Sequence, residues 1–96
     1  MKDKIDLNYA KAVAREVSMS FPKTKEERII VMQKIGKALQ DTHGSFFLDQ
    51  VYDVLELVYE IEERDELMDE IDGWVENDEK IEQLGNENRV YTYRIE

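Results

Sequence analysis

Residues 45–84, SFFLDQVYDVLELVYEIEERDELMDEIDGWVENDEKIEQL, decide how this chain is read. Phe47, Leu48, Val51, Val54, Leu55, Val58 and Ile61 recur at helical spacing, and at ~100° per residue they gather into one apolar side. Leu67, Met68, Ile71, Trp74, Val75, Ile81 and Leu84 resume the pattern after the polar run Glu62-Glu63-Arg64-Asp65. Two carboxylate stripes accompany these apolar faces. The first is Asp49, Asp53, Glu56, Glu60 and Glu63; the second is Asp65, Asp69, Asp72, Glu76 and Glu79. Both follow a 4,3,4,3 spacing, which on a helix brings each set onto one face. The stretch therefore predicts helices over 46–62 and 65–84 with a turn near 63–65, one helix over 46–84 being the alternative. Gly73 costs the last helix about 1 kcal/mol relative to alanine and is a candidate bend.

On the N-terminal side, Tyr9, Val13 and Val17 at a spacing of four, with Ala10, Ala12 and Ala14 between them, predict a short helix over 7–21. Pro22 ends it, because the residue before a proline is pushed out of the helical region. Thr24, with Glu27 three residues on, is a capping-box start for a second helix over 24–42. Ile29, Ile30, Met32, Ile35, Ala38 and Leu39 form its apolar face, and Gly44 after His43 is its left-handed stop. Ser45 is the expected cap of the third helix.

On the C-terminal side the period changes after Gly85. In Arg89-Val90-Tyr91-Thr92-Tyr93-Arg94-Ile95 the side chains of Tyr91, Tyr93 and Ile95 fall on one side of an extended tail, 89–95. One strand cannot satisfy its own backbone. Three outcomes are open: pairing with Ile5-Asp6-Leu7, pairing with the same strand of a second copy, or no pairing. The fold expected is all-α, a bundle of three to four helices with a short C-terminal extended segment or strand, in one domain spanning 1–96.

Composition bounds the function. The chain has 96 residues, 42% hydrophobic and 38% charged, enough for one core with a full polar face on each helix. No apolar run approaches ~18 residues, and MKDKIDLNYAK lacks a signal-peptide core; no membrane association is expected, and the expected compartment is the cytoplasm. With no cysteine, disulfides, thiolate zinc sites and a cysteine nucleophile are excluded. Net charge is −10, unevenly placed. Residues 1–48 hold nine Lys/Arg against six Asp/Glu, residues 49–83 two against fifteen, and residues 84–96 two against two. The second half repels phosphates and attracts a basic protein surface.

Ordinary outer helix faces mix acids with lysines; like charges at i,i+4 cost ~0.2–0.5 kcal/mol per pair. The bland account of both stripes is a solvated face. The functional account is phosphate mimicry: five carboxylates spanning roughly 21 Å of helix, at ~1.5 Å per residue, resemble a run of nucleic-acid phosphates. Small inhibitors from phages and mobile elements work this way as a class, an analogy of charge and size. The expectation is a non-enzymatic protein-binding module whose ten stripe residues meet a basic, nucleic-acid-binding protein, with no direct nucleic-acid contact and no cofactor or metal.

A homo-oligomeric structural or adaptor protein, a homodimer in its simplest form, is the alternative. In it the basic residues Lys11, Arg15, Lys23, Lys25, Arg28, Lys34 and Lys37 meet the acidic half of another copy, with Tyr52, Tyr59 and Trp74 at the edges of the apolar faces. A third reading, a Mg-dependent all-α nucleotide pyrophosphatase, rests on one-turn pairs such as Glu62 with Glu66 and Glu66 with Glu70. It lacks cations for phosphate, since 49–83 offers Arg64 and Lys80 alone. Asp78 stands out on the apolar side between Trp74 and Ile81, with a helix edge open to water as its bland reading. His43 is the sole histidine and suits a helix C-terminus. Ser18, Ser20 and Ser45 lack a nucleophile-elbow pattern, and the four glycines form no phosphate loop.

Overall fold

The structure, a computed structural model, describes residues 7–87 and 90–96. The elements are α1 (Leu7–Val17), α2 (Lys25–His43), α3 (Leu48–Tyr59), α4 (Arg64–Asn77), β1 (Ile81–Glu87) and β2 (Val90–Ile95). Four helices form a small bundle, and the strands pair as one antiparallel hairpin at its C-terminal end. α2 lies at the centre and buries Val31, Met32, Ile35, Ala38 and Leu39. It packs on α1 through Ala10 and Ala14, whose small side chains permit close approach. Val51, Val54 and Leu55 of α3, Leu67, Ile71 and Trp74 of α4, Phe46 and Ile95 complete one buried cluster.

The helix starts and stops have identifiable partners. α1 ends at Val17, four residues before the expected Phe21. The Tyr59 hydroxyl sits against this end, its one proton shared between Ser18 O at 2.8 Å and Ala14 O at 3.2 Å, the latter also accepting from Ser18 N. Phe21 turns back onto the Tyr59 ring, centroids 5.5 Å apart. Thr24 caps α2 as expected, its hydroxyl oxygen accepting from Glu27 N at 3.2 Å. Gly44 closes α2 at φ 81, donating its amide to Gln40 O.

The expected Ser45 cap is replaced. Phe46 is held in a β-bridge, accepting from Tyr93 N at 2.8 Å and donating to Tyr93 O at 2.9 Å. α3 accordingly starts after Phe47, whose amide is taken by the Gln50 side chain at 2.9 Å.

Residues 46–84 are not one helix. α3 stops at Tyr59, and Glu60 adopts φ 53, a left-handed conformation that L side chains rarely accept. Glu60 also places a negative charge at the negative end of a helix dipole. Glu60→Gly removes both penalties and gives back some unfolded-state entropy. We expect it to raise stability by about 0.5–1 kcal/mol, read as a higher urea midpoint at unchanged slope; a lower midpoint would mean the glutamate side chain has a compensating role.

The largest departure from expectation is residues 78–84, anticipated as the end of the last helix. α4 ends at Asn77, and residues 81–84 belong to β1, so Ile81 and Leu84 are strand residues and Gly85 lies within the strand. Two side chains stop the helix: Asn77 Nδ2 donates back to Gly73 O at 2.8 Å, and Asp78 Oδ1 accepts from Lys80 N at 3.0 Å. Such bonds offer the backbone an alternative to the next helical turn. Gly73 causes no break, since α4 runs through it.

β1 is also the partner that the tail required. Ile81 pairs with Ile95 and Gln83 with Tyr93, and an irregularity between Gln83 and Asn86 shifts the register. The expected alternative partner at Ile5 and Asp6 lies outside the described residues. The outer edge of β2 is occupied as well. Phe46 bonds Tyr93 both ways, and the Gln40 side chain donates to Ile95 O at 2.8 Å and accepts from Ile95 N at 2.7 Å. At Tyr93 and Ile95 the strand thus has partners on both sides within one chain, leaving no edge there for a second copy. Gly36 permits this docking: a Cβ there would stand 3.0 Å from Ile95 Cδ1 and 3.3 Å from the Phe46 ring.

Candidate functional site

All ten stripe carboxylates are exposed. Asp49, Asp53 and Glu56 ride on α3, and Asp65, Asp69, Asp72 and Glu76 on α4. Neither stripe stays on one helix to its end. Glu60 is the left-handed residue after α3, Glu63 caps the start of α4, and Glu79 sits in the turn beyond it. The physical reasons are the chain reversal at Glu60 and the Asp78 turn, both of which end a helix before its acidic pattern ends. Among the described residues the salt bridges are Arg28 to Glu70 at 2.9 Å and Arg94 to Glu82 at 3.3 Å, and neither uses a stripe residue.

The charges respond to one another. Asp53 is held above the usual carboxylate range, by desolvation first and then by repulsion from Asp49 and Glu56, with Arg64 pulling the other way. Glu66 is raised by its hydrogen bond to Glu63, by the charge of Glu63, by desolvation and by Glu70. Both therefore favour the neutral acid, Asp53 chiefly because burial penalises its charge and Glu66 chiefly through the Glu63 carboxyl beside it.

The tertiary structure joins the two stripes at one place that sequence spacing did not indicate. A groove of about 280 Å³ lies between the start of α3, α4 and β2, lined by Phe47, Leu48, Asp49, Met68, Asp72, Tyr91 and Tyr93. Asp49 comes from the first stripe and Asp72 from the second. A second groove, of about 500 Å³, shares Asp72 and the two tyrosines and is lined further by Val75, Glu76, Ile81 and Gln83. Tyr93 is half-buried and Tyr91 is 44% exposed. The Tyr93 phenol titrates above its ordinary range, because burial and then Asp72, Tyr91 and Glu76 disfavour the phenolate.

Asp78 is a structural acid rather than an open helix edge. Its Oδ2 accepts from Gln33 Nε2 at 3.0 Å and from Trp74 Nε1 at 3.2 Å, joining α2 to the end of α4. Partial burial pushes its carboxyl up; bonds from the Lys80 amide, Gln33 and Trp74 outweigh that and hold it below the usual range.

Comparison with protein-family models, curated proteins and solved structures finds no match to this chain. The site stands on its own geometry.

The other residues singled out in the sequence are placed as follows. Glu70 is taken by Arg28, and Glu62 and Glu66 are exposed. Among the described residues no group of three or more His, Asp or Glu side chains is gathered where it could hold a metal ion. His43 is exposed in the last turn of α2. Tyr52 is buried in the core and Tyr59 is half-buried against it, both with bonded hydroxyls, Tyr52 donating to Glu56 at 2.9 Å. Trp74 is buried against Phe46, ring centroids 5.9 Å apart. Among the described residues no helix is long and apolar enough to cross a membrane. Sequence reasoning missed Phe47, Leu48, Met68 and the tyrosine pair as neighbours of Asp49 and Asp72. The alternation of Tyr91 and Tyr93 was visible; what lay beneath them was not.

Proposed function

We propose that this chain is a non-enzymatic protein-binding module, acting as an inhibitor or modulator. It presents the acidic faces of α3 and α4 to a basic surface of a nucleic-acid-binding protein and occupies the place of phosphates there. The observation that carries this reading is that ten carboxylates remain exposed and outside any described salt bridge, although folding alone favours interspersed lysines. A partner with Arg and Lys on its groove gains long-range attraction, which governs the association rate more than the final affinity. The cytoplasm is the compartment of such partners, and a chain without cysteine suits it.

The test has a solution arm and a binding arm. Replacing Asp69, Asp72 and Glu76 together by Asn, Asn and Gln removes three charges from the exposed face of α4. We expect a melting temperature unchanged or slightly higher, because mutual repulsion is relieved, and moderate salt should raise that of the wild-type chain in the same way. Capture of basic proteins from a lysate at low salt should be strong for wild type, weaker for the triple variant, and lost for both at high salt. Loss of folding in the triple variant, or no basic protein captured by wild type at either salt concentration, would overturn the reading.

A further inference from the structure

We infer that the tyrosine-walled groove where the two stripes meet receives an arginine side chain of the basic partner, its guanidinium stacked on Tyr91 and its nitrogens directed at Asp49 and Asp72. This rests on the acidic-face reading above and specifies where on that face the partner is anchored. Two features separate the site from a solvated acidic surface. It is a concave apolar slot with Met68 and Leu48 on its walls, able to take the hydrocarbon stem of a long side chain. Its tyrosines also differ from their counterparts in the core. Tyr52 and Tyr59 bond their hydroxyls within the protein, whereas among the described residues no bond is made by the hydroxyl of Tyr91 or Tyr93.

The chain builds the same recognition set twice inside itself. Arg28 lies 4.7 Å over the centre of the Phe21 ring while its Nη1 bonds Glu70 at 2.9 Å. Arg64 lies 5.3 Å over the Tyr52 ring and interacts with the Asp53 charge. Each combines an aromatic face, a guanidinium and a carboxylate. Tyr91 and Tyr93 with Asp49 and Asp72 form a third aromatic and carboxylate pairing, and among the described residues no arginine lines it. Asp49 and Asp72 put two carboxylates on the walls beside these rings; the Tyr93 phenol is raised first by burial and then by Asp72, Tyr91 and Glu76. Arginine fits better than lysine because a planar guanidinium stacks on a ring while bonding a carboxylate edge-on, and it gives up its hydration more readily.

The probes are a hexa-arginine and a hexalysine peptide, each titrated at low salt into the full chain and followed by NMR. We expect the arginine peptide to bind about five-fold more tightly, a cation–π effect of ordinary size, with its largest shifts at Tyr91, Tyr93 and the Met68 methyl. Tyr91 lies outside the buried cluster, so Tyr91→Ala should melt close to wild type. It should bring arginine binding down to the lysine level and leave lysine binding unchanged, while Tyr91→Phe keeps the preference. Equal binding of the two peptides to wild type, or an equal loss of both in Tyr91→Ala, would overturn the groove assignment. If Tyr91→Ala changes nothing while the Asp69, Asp72, Glu76 triple variant loses both peptides, the groove assignment fails and the acidic-face reading survives. If neither peptide binds wild type at low salt, both fail.

Discussion

Replacing Phe46 by alanine will cost about 3–5 kcal/mol of stability, the range for truncating a buried aromatic ring. The ring is fully buried, stacks against Trp74, and stands 6.1 Å from the Tyr93 ring, centre to centre. It also faces Gly36, the one place where α2 has no side chain to block it. A domain of this size has a total stability of roughly 5–15 kcal/mol, so the variant will sit near its unfolding threshold. The hairpin will suffer first, because the backbone of Phe46 covers the outer edge of β2. Urea titration followed by circular dichroism measures the loss. Phe47→Ala is the control: its side chain is half-buried on the groove wall and should cost about 1 kcal/mol. Equal costs for the two would mean that the hairpin is not anchored through Phe46.

The second large effect concerns Asp78. Asp78→Ala removes an ionised acceptor from Gln33, Trp74 and the Lys80 amide, and leaves the indole N–H of the buried Trp74 without its partner. Hydrogen bonds to charged groups contribute ~1.5–3 kcal/mol, so a loss of about 2–3 kcal/mol is expected.

A pH dependence follows with a definite sign. The folded carboxyl of Asp78 is held below its ordinary value of 3.8; its stabilisation is therefore complete above that value and is lost as pH falls through the folded one. Asp53 and Glu66 behave oppositely. Their folded values lie above the ordinary 3.8 and 4.5, so protonating them on descent from neutral pH relieves repulsion in the folded state and adds stability. Thermal melts of the dilute protein should rise on descent from neutral pH and fall again below the ordinary carboxylate range. Asp78→Ala should retain the rise from neutral pH while losing part of the acid decline. An acid decline identical to that of wild type would remove Asp78 from this role.

Sequence and structure agree where local chemistry was sufficient. Thr24 with Glu27, and Gly44 after His43, mark the ends of α2, because a cap needs a hydroxyl or a left-handed residue within a few positions. The apolar faces of α2 and α3 were equally legible, since burial follows a period of three to four residues. The exposure of Asp49, Asp53, Glu56, Asp65, Asp69, Asp72 and Glu76 followed from the same periodicity, whereas Glu60, Glu63 and Glu79 lie off the helices. Residues 78–84 misled the reading because Ile81 and Leu84 also fit a helical period. Their state was decided by Asp78, which takes the Lys80 amide and reaches Gln33, 45 residues away.

By itself the sequence determined a small acidic helical bundle with an extended C-terminal tail and two carboxylate faces turned to solvent. Only the tertiary structure decided the rest. It supplied the strand that pairs with the tail, the edge cover given by Gln40 and Phe46, and the meeting of Asp49 and Asp72 across Tyr91 and Tyr93. The physical reason is range. Helix faces and caps are set by neighbours three or four residues apart, whereas the covered strand edge joins Gln40 to Ile95, 55 residues apart, and the groove brings Asp49 to Asp72 and Tyr93, 23 and 44 residues away.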